Sequence, residues 1–313
     1  MADKPSMTLI QSSAAQILDS PIAKAGLDPL NLKWLESATF TGHDDSLERL
    51  LLRQFVQLDN NSADLPMAAL RQPQQAAICA DPCYLHPDQT RLRLFAQPVN
   101  LSLSEAEVLV DSLQSLFADL NAVLSIESPM HWTLSLTELP QLECQALPDM
   151  EGRAVDPMTM LNGKDKAQWL SLWNSVQMTL FEHPVNQQRE AAGQLPVNSL
   201  WFWGLGRTDF HPSPWSCAYG NQPLLEQLAM QAGVQHQTDL WSLQQWPSMP
   251  AGKYLWLADE LDQDVTKAIA QLNMQLSEMR RQLRARQISE LIWLIPNFGA
   301  YRFAARQWWQ IWR

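Results

Sequence analysis

Three apolar runs, Leu200-Trp201-Phe202-Trp203, Leu255-Trp256-Leu257 and Ile292-Trp293-Leu294, alternate with segments whose apolar residues recur every three or four positions. A run that is apolar at every position has no polar face, so as a strand it must be covered on both sides. With helices between the strands, the covering elements are supplied by the chain itself. The expected fold class is therefore α/β: a mixed, mostly parallel sheet flanked by helices, with a smaller α+β subdomain.

Other elements follow from the same patterns. Thr8-Leu9-Ile10, Ala77-Ile78-Cys79-Ala80, Leu92-Arg93-Leu94-Phe95 and His131 to Leu136 suit strands. Asp81-Pro82 suits a turn, and so does Asp88-Gln89-Thr90. Ser102 followed by Glu105 predicts an N-cap for a helix reaching about Leu120. Trp169, Leu172, Trp173, Val176 and Leu180 predict a helix over 164–181, ended by Pro184. Helices are also expected over 221–232 and 261–287, and a last strand over 301–312. Residues 139–163 read as irregular. The expected organisation is a helical N-terminal part of the main body over 1–75, the subdomain over 76–165, and an α/β part over 166–313.

Composition narrows the function classes. At 46% hydrophobic and 18% charged residues, the chain can bury a large core. Its formal charge of −11 argues against nucleic acid or an anionic membrane surface as partner. Cys79, Cys83, Cys144 and Cys217 form no C-x-x-C pair and read as reduced thiols of a cytoplasmic protein. Neither a secretory signal nor a transmembrane run is expected.

The stretch from His183 to Arg207 carries the most specific polar pattern. His183, Asn186 and Arg189 lie three apart, so on a continuing helical turn they project to one side. An imidazole, an amide and a guanidinium there would suit a phosphorylated or carboxylated ligand, with Arg189 as the bidentate anchor. The competing use is local: His183 caps the helix end and Asn186 holds the loop backbone. Asn198 and Ser199 open the next strand, and Gly204 and Gly206 close it where a ligand or another segment can approach closely. Arg207 follows as a candidate phosphate contact. The candidate ligand-binding set is therefore His183, Asn186, Arg189, Asn198, Ser199, Gly204, Gly206 and Arg207. Asp81, His86 and Asp88 are weak metal-ligand candidates. Gly42-His43-Asp44-Asp45 is another, although Asp45 and Ser46 also suit a helix N-cap. Arg280, Arg281, Arg284 and Arg286 read as a solvated helix face complementing the helix dipole.

The pattern His183-Pro184-Val185-Asn186, Arg189, Gly193 and Asn198-Ser199-Leu200-Trp201-Phe202-Trp203-Gly204-Leu205-Gly206 resembles a proteobacterial family described both as regulatory proteins and as phosphoglycerate-mutase-like. Ala80-Asp81-Pro82, Leu85, Asp88, Leu92-Arg93-Leu94 and Leu65-Pro66 with Ala68-Ala69-Leu70 extend the likeness over roughly residues 65–210. The same pattern is similar to part of the archaeal-type cofactor-independent phosphoglycerate mutases. That resemblance implies an alkaline-phosphatase-like core, here truncated. It also implies two divalent metals held by Asp and His, and a Ser or Thr nucleophile. The chain departs from this: its six His lie in no Asp-x-x-x-His or Asp-His arrangement, and Leu18-Asp19-Ser20 does not supply the early Asp-Gly. The expectation is a diverged mutase-like regulatory protein, non-catalytic or weakly catalytic, binding a phosphorylated or carboxylated small molecule. One alternative is a metal-dependent mutase drawing ligands from Asp81, His86, Asp88 and His183. The other is a protein-interaction module with a Trp-rich surface.

Overall fold

The structure, a computed structural model, describes residues 4–59, 62–88, 91–157, 159–238 and 243–304. It divides into two compact units, Met1–Gln57 with Phe210–Arg313, and Leu58–Asp209. These bounds differ from the sequence-expected divisions at 75 and 165, because strand pairing joins distant segments. The first strand, Ser6–Ile10, is held between two strands from near the other end of the sequence: Met7 pairs with both Tyr254 and Leu291.

The first unit contains a seven-stranded sheet. Its spatial order is Gln235–Gln237, Cys217–Tyr219, Lys253–Leu257, Ser6–Ile10, Glu290–Ile295, Gly299–Ala304 and Thr39–Gly42. The first five strands are parallel and the last two add antiparallel. The sheet is thus mixed and mostly parallel, as the alternation of strand and helix patterns requires.

Alternation along the strands decides which helix covers which face. Met7, Leu9, Tyr254, Trp256, Leu291 and Trp293 share one core with Ala268, Leu272, Leu276, Met279 and Leu283. Those last residues form the apolar stripe of the helix Val265–Arg284. Leu257 has the opposite parity to Trp256. It lies against Gly220, where a Cβ would sit 2.8 Å from Leu257 Cβ and 3.1 Å from Leu225 Cδ2. The helix Pro223–Gln231 therefore closes the other face.

These two helices also carry the chain in opposite directions. Pro223–Gln231 leads outward from Cys217–Tyr219 to the edge strand, while Val265–Arg284 leads over Ser6–Ile10 to Glu290–Ile295. The strand order consequently switches between Cys217–Tyr219 and Lys253–Leu257.

The second unit is antiparallel. Ala76–Asp88 pairs along its length with His131–Leu136, Arg91–Phe95 and Ser199–Trp203. Two sequence expectations are corrected here. Asp81-Pro82 does not turn; the strand continues to Asp88, because Ser199–Trp203 pairs across residues 79–83. The Trp-rich run Ser199–Trp203 also lies outside the parallel sheet that holds Lys253–Leu257 and Glu290–Ile295. A strand buried on both faces shows the same apolar run whatever the direction of its neighbours.

Several elements fall where the patterns put them. Ser102 and Glu105 form a capping box on the helix Leu103–Leu113, and the helix Lys166–Phe181 buries Trp169, Leu172, Trp173, Val176 and Leu180. Ser46 caps Leu47–Arg53 by accepting from the Arg49 N–H, while Asp45 pairs with Arg53 at 3.4 Å. Arg281 pairs with Glu278 at 2.6 Å near the end of its helix. The last strand spans Gly299–Ala304; the rest of the strand expected to Trp312 lies outside the described residues.

Candidate functional site

The helix Lys166–Phe181 stops, and a new helix, Pro184–Ala191, begins after Glu182 and His183. Pro184 is at its first turn, where a missing N–H costs nothing. His183 is its N-cap, its Nδ1 accepting from the Val185 N–H at 3.2 Å. His183 thus caps the start of this second helix rather than the end of the first.

Asn186 and Arg189 point inward. The Asn186 amide donates to Leu180 O and Val197 O, each at 2.7 Å, and accepts from the Val197 N–H at 2.9 Å. Arg189, 3% exposed, donates to Leu195 O at 2.9 Å, to Glu105 Oε1 at 2.9 Å and to Val99 O. Asn198 forms a side-chain rung on the strand Ala76–Asp88. It accepts from the Leu85 N–H at 2.7 Å and donates to Leu85 O at 2.9 Å. Ser199 is buried and donates to Leu200 O. Four residues expected to face a ligand therefore have their polar groups committed to the backbone and to Glu105.

The glycine turn does receive an anion, but an internal one. The Asp64 carboxylate accepts the Gly204 N–H at 2.9 Å and the Leu205 N–H at 2.8 Å, together with the Leu65 N–H at 2.9 Å. Successive N–H groups at a turn form a natural anion cradle, and the chain fills this one with its own side chain. Gly204 has φ +91, and a Cβ there would lie 2.6 Å from Cys79 Sγ and 3.0 Å from Ala68 N. Gly204→Ala is expected to destabilise the second unit by about 1–3 kcal/mol, from strain and overlap together. Urea unfolding monitored by Trp fluorescence measures this; an unchanged midpoint would contradict the packing described. Gly206 and Arg207 are exposed beyond the turn.

The metal candidates are not brought together. Asp81 and His86 are five residues apart on one extended strand, roughly 16 Å at the usual rise. His86 is exposed and contacts Tyr84, while Asp88 is bound to Arg93 at 2.8 Å. Among the described residues no group of three or more His, Cys, Asp or Glu could hold a metal ion. The two-metal set implied by the mutase resemblance does not fit the described residues.

Asp81 is instead the centre of a buried polar node. Its side chain is fully buried. Oδ1 accepts Arg71 at 2.7 Å and the Trp132 N–H at 2.8 Å; Oδ2 accepts Arg71 at 3.0 Å and Trp203 Nε1 at 2.9 Å. The Trp132 N–H lies one residue beyond the last pairing to His131–Leu136, Thr133 with Cys79. The carboxylate thus supplies the acceptor that the strand backbone no longer offers. The Arg71 guanidinium also lies 5.7 Å from the Trp203 ring centre. Burial works against its charge, yet Asp81 holds it above the ordinary arginine value.

Acid sensitivity follows from neighbouring groups. Burial pushes His43, His131 and His183 below the ordinary 6.5. A base with a lowered folded value favours the neutral form, so its contribution is complete above about pH 6.5 and is lost as pH falls through that region. For Glu105, partial burial opposes ionisation. Hydrogen bonds from Ser102 and Arg189 outweigh it and hold the carboxyl below 4.5, so its contribution is lost below that pH. Stability is expected to rise between about pH 4 and pH 7; urea midpoints that stay flat across that range would contradict these assignments.

The sequence patterns did not single out the strand ends at the topological switch. In open α/β sheets, ligands bind outside the carboxyl ends of the strands at such a point. Here those ends are Gly220-Asn221-Gln222 and the segment Ala258 to Asp264. Gly220 O meets His236 Nε2 at 2.9 Å, and Gln222 caps the helix Pro223–Gln231. The signal for this place is the order of strands, which no local motif carries.

The chain shows distant homology to cofactor-independent phosphoglycerate mutases, within a mixed α/β fold. A stretch of 109 residues, 34% of the chain, is 31% identical to the 2,3-bisphosphoglycerate-independent phosphoglycerate mutase of Methanosarcina mazei. The corresponding enzyme of Methanosarcina acetivorans matches at 32% identity over the same length. The match spans 27% of each of these relatives. No family model matches the chain. Among solved structures, the cofactor-independent phosphoglycerate mutase of Thermoplasma acidophilum aligns over 97% of this chain and 90% of its own, at 14% identity and TM-score 0.39. A Pyrococcus horikoshii protein aligns over 97% and 88%, at 12% identity and TM-score 0.46. Likeness of that degree adds nothing to the topology given above.

Proposed function

We propose that this chain is a mutase-like protein without metal-dependent phosphomutase chemistry, which acts as a regulatory protein by binding a phosphorylated or carboxylated small molecule. The observation that carries this reading is the state of Asp81. Its two carboxylate oxygens are occupied by Arg71, Trp132 and Trp203, so it is spent on the fold rather than offered to a cation. His86 lies roughly 16 Å along the strand from Asp81, and Asp88 is bound to Arg93, which supports the same conclusion.

The direct test is interconversion of 3-phosphoglycerate and 2-phosphoglycerate with added Mn²⁺ or Mg²⁺. The expected result is no turnover above the protein-free control, while 3-phosphoglycerate or another small carboxylate raises the thermal midpoint. Turnover that depends on the metal would refute the proposal.

One observation favours a second reading, a protein-interaction module. Met178 and Phe181, one turn apart on Lys166–Phe181, are 78% and 80% exposed. Among the described residues Trp169, Trp173, Trp201 and Trp203 are buried; Trp241, Trp308, Trp309 and Trp312 lie outside the described residues. Stoichiometric capture of a partner, lost on Phe181→Asp, tests it.

A further inference from the structure

Charge is segregated along the strand direction in the first unit. Ser6, Lys253 and Glu290 lie side by side at the amino ends of the three central parallel strands, and Lys4 lies two residues before Ser6. The helix Val265–Arg284 runs back from the carboxyl end of Lys253–Leu257 to the amino end of Glu290–Ile295. Its last turn, with Arg281 and Arg284, therefore reaches the same end, as does Arg286 in the loop that follows. Lys4, Lys253, Arg284 and Arg286 are exposed. Arg281 and Arg302 are balanced by Glu278 and Glu290, at 2.6 and 3.5 Å. Lys33 and Glu36, in the last turn of Pro29–Glu36, add one charge of each sign.

The opposite end is acidic. Asp259, Glu260, Asp262 and Asp264 follow the carboxyl end of Lys253–Leu257, and Asp44 and Asp45 follow Thr39–Gly42. The length of Lys253–Leu257, roughly 13 Å at the usual rise, separates the two ends. That exceeds the Debye length of about 8 Å at physiological ionic strength. A partner in contact with the amino end thus meets a local positive field, although the whole chain carries −11.

The chain also leaves the sheet at this end, since Ala304 pairs with Glu290. Residues 305–313 contain Trp308, Trp309, Ile311 and Trp312 beside Arg306 and Arg313, with no acidic residue. Indole rings, apolar in body with a polar N–H, suit the headgroup level of a bilayer, and arginines beside them suit lipid phosphate. Shape distinguishes this partner from other polyanions. A bilayer surface is planar and touches one end of the unit alone, whereas a nucleic acid running along the unit meets the acidic end as well.

We propose that the amino end of this sheet, with the segment 305–313, docks on an anionic membrane surface. The basic residues face the lipid headgroups, and the Trp residues enter the interfacial layer. This docking is separate from the small-molecule binding proposed above.

The test is co-sedimentation of the full chain with vesicles of phosphatidylcholine alone and of phosphatidylcholine mixed with phosphatidylserine. Binding to the mixed vesicles is expected to be tighter by about tenfold or more and to weaken as salt rises, because each basic residue near an anionic surface contributes about fivefold in affinity. Lys4→Ala combined with Lys253→Ala should weaken it by about tenfold or more. The circular dichroism spectrum should stay unchanged, because both side chains are exposed and form no ion pair among the described residues. Lys4→Arg with Lys253→Arg should retain binding. Trp308→Ser, Trp309→Ser and Trp312→Ser together should also reduce it; if that variant fails to fold, the lysine variants still decide. No binding to mixed vesicles, equal binding to neutral ones, or undiminished binding by the double lysine-to-alanine variant would each overturn the assignment. An oligonucleotide that binds more tightly than the mixed vesicles and displaces them would overturn it in favour of nucleic acid.

Discussion

Replacing Asp81 with alanine is expected to destabilise the second unit by about 3–5 kcal/mol, the cost of leaving one member of a buried ion pair without its partner. Arg71 would keep a guanidinium whose side chain is 8% exposed, facing an apolar gap. The Trp203 indole N–H and the Trp132 N–H would lose their acceptors as well, and unsatisfied buried donors carry their own cost. The effect should be local, so hydrogen exchange at Ala76–Asp88 and His131–Leu136 is the sharper measurement. Exchange reports on these two strands individually, which a global midpoint does not. Combining Asp81→Leu with Arg71→Met removes both charges together and should recover much of the loss, since paired apolar replacement of a buried ion pair is often near neutral. A double variant as unstable as the sum of the singles would show that the two residues do not act as a pair.

Arg189→Ala is expected to destabilise the second unit as well, by about 1–3 kcal/mol, because the carbonyls of Leu195 and Val99 lose a buried donor while Glu105, its side chain 27% exposed, stays solvated. The guanidinium ties the helix Pro184–Ala191 to Leu195 O, to Val99 O and to Glu105. Glu105 in turn closes the capping box on Leu103–Leu113. One side chain therefore joins two helices, the loop before one and the loop after the other. If Arg189 served a ligand instead, its removal would spare the fold and abolish ligand-induced stabilisation. The structure predicts the reverse order: the fold weakens first, and Arg189→Lys restores only part, because an ammonium cannot reproduce the fork. Thermal unfolding without ligand separates the two. An Arg189→Ala variant with wild-type stability would make this residue a ligand contact again.

Much of the fold was legible from periodicity. The apolar stripe Trp169, Leu172, Trp173, Val176, Leu180 defined a helix, Ser102 and Glu105 defined its neighbour's start, and Lys253–Leu257 and Glu290–Ile295 stood out as buried strands. Direction was not legible. Ser199–Trp203 has the same apolar texture as those two strands, yet pairs antiparallel with Ala76–Asp88. The polar pattern around it was legible as special, but its purpose was not. The glycine turn was recognised as a place for close approach. That Asp64 makes the approach, from about 140 residues away, depends on a long-range contact.

By itself the sequence determined where helices and buried strands begin, which residues are apolar enough for the core, and that His183 to Arg207 holds an unusual set of polar groups. Those properties are local, set by side-chain period and capping chemistry within a few residues. Only the tertiary structure decided what the polar groups face. Asn186, Arg189, Asn198 and Asp81 carry donors and acceptors that suit a ligand or a buried backbone equally well. Burying them obliges each to find a partner, and that partner is supplied by whichever distant segment folds against them.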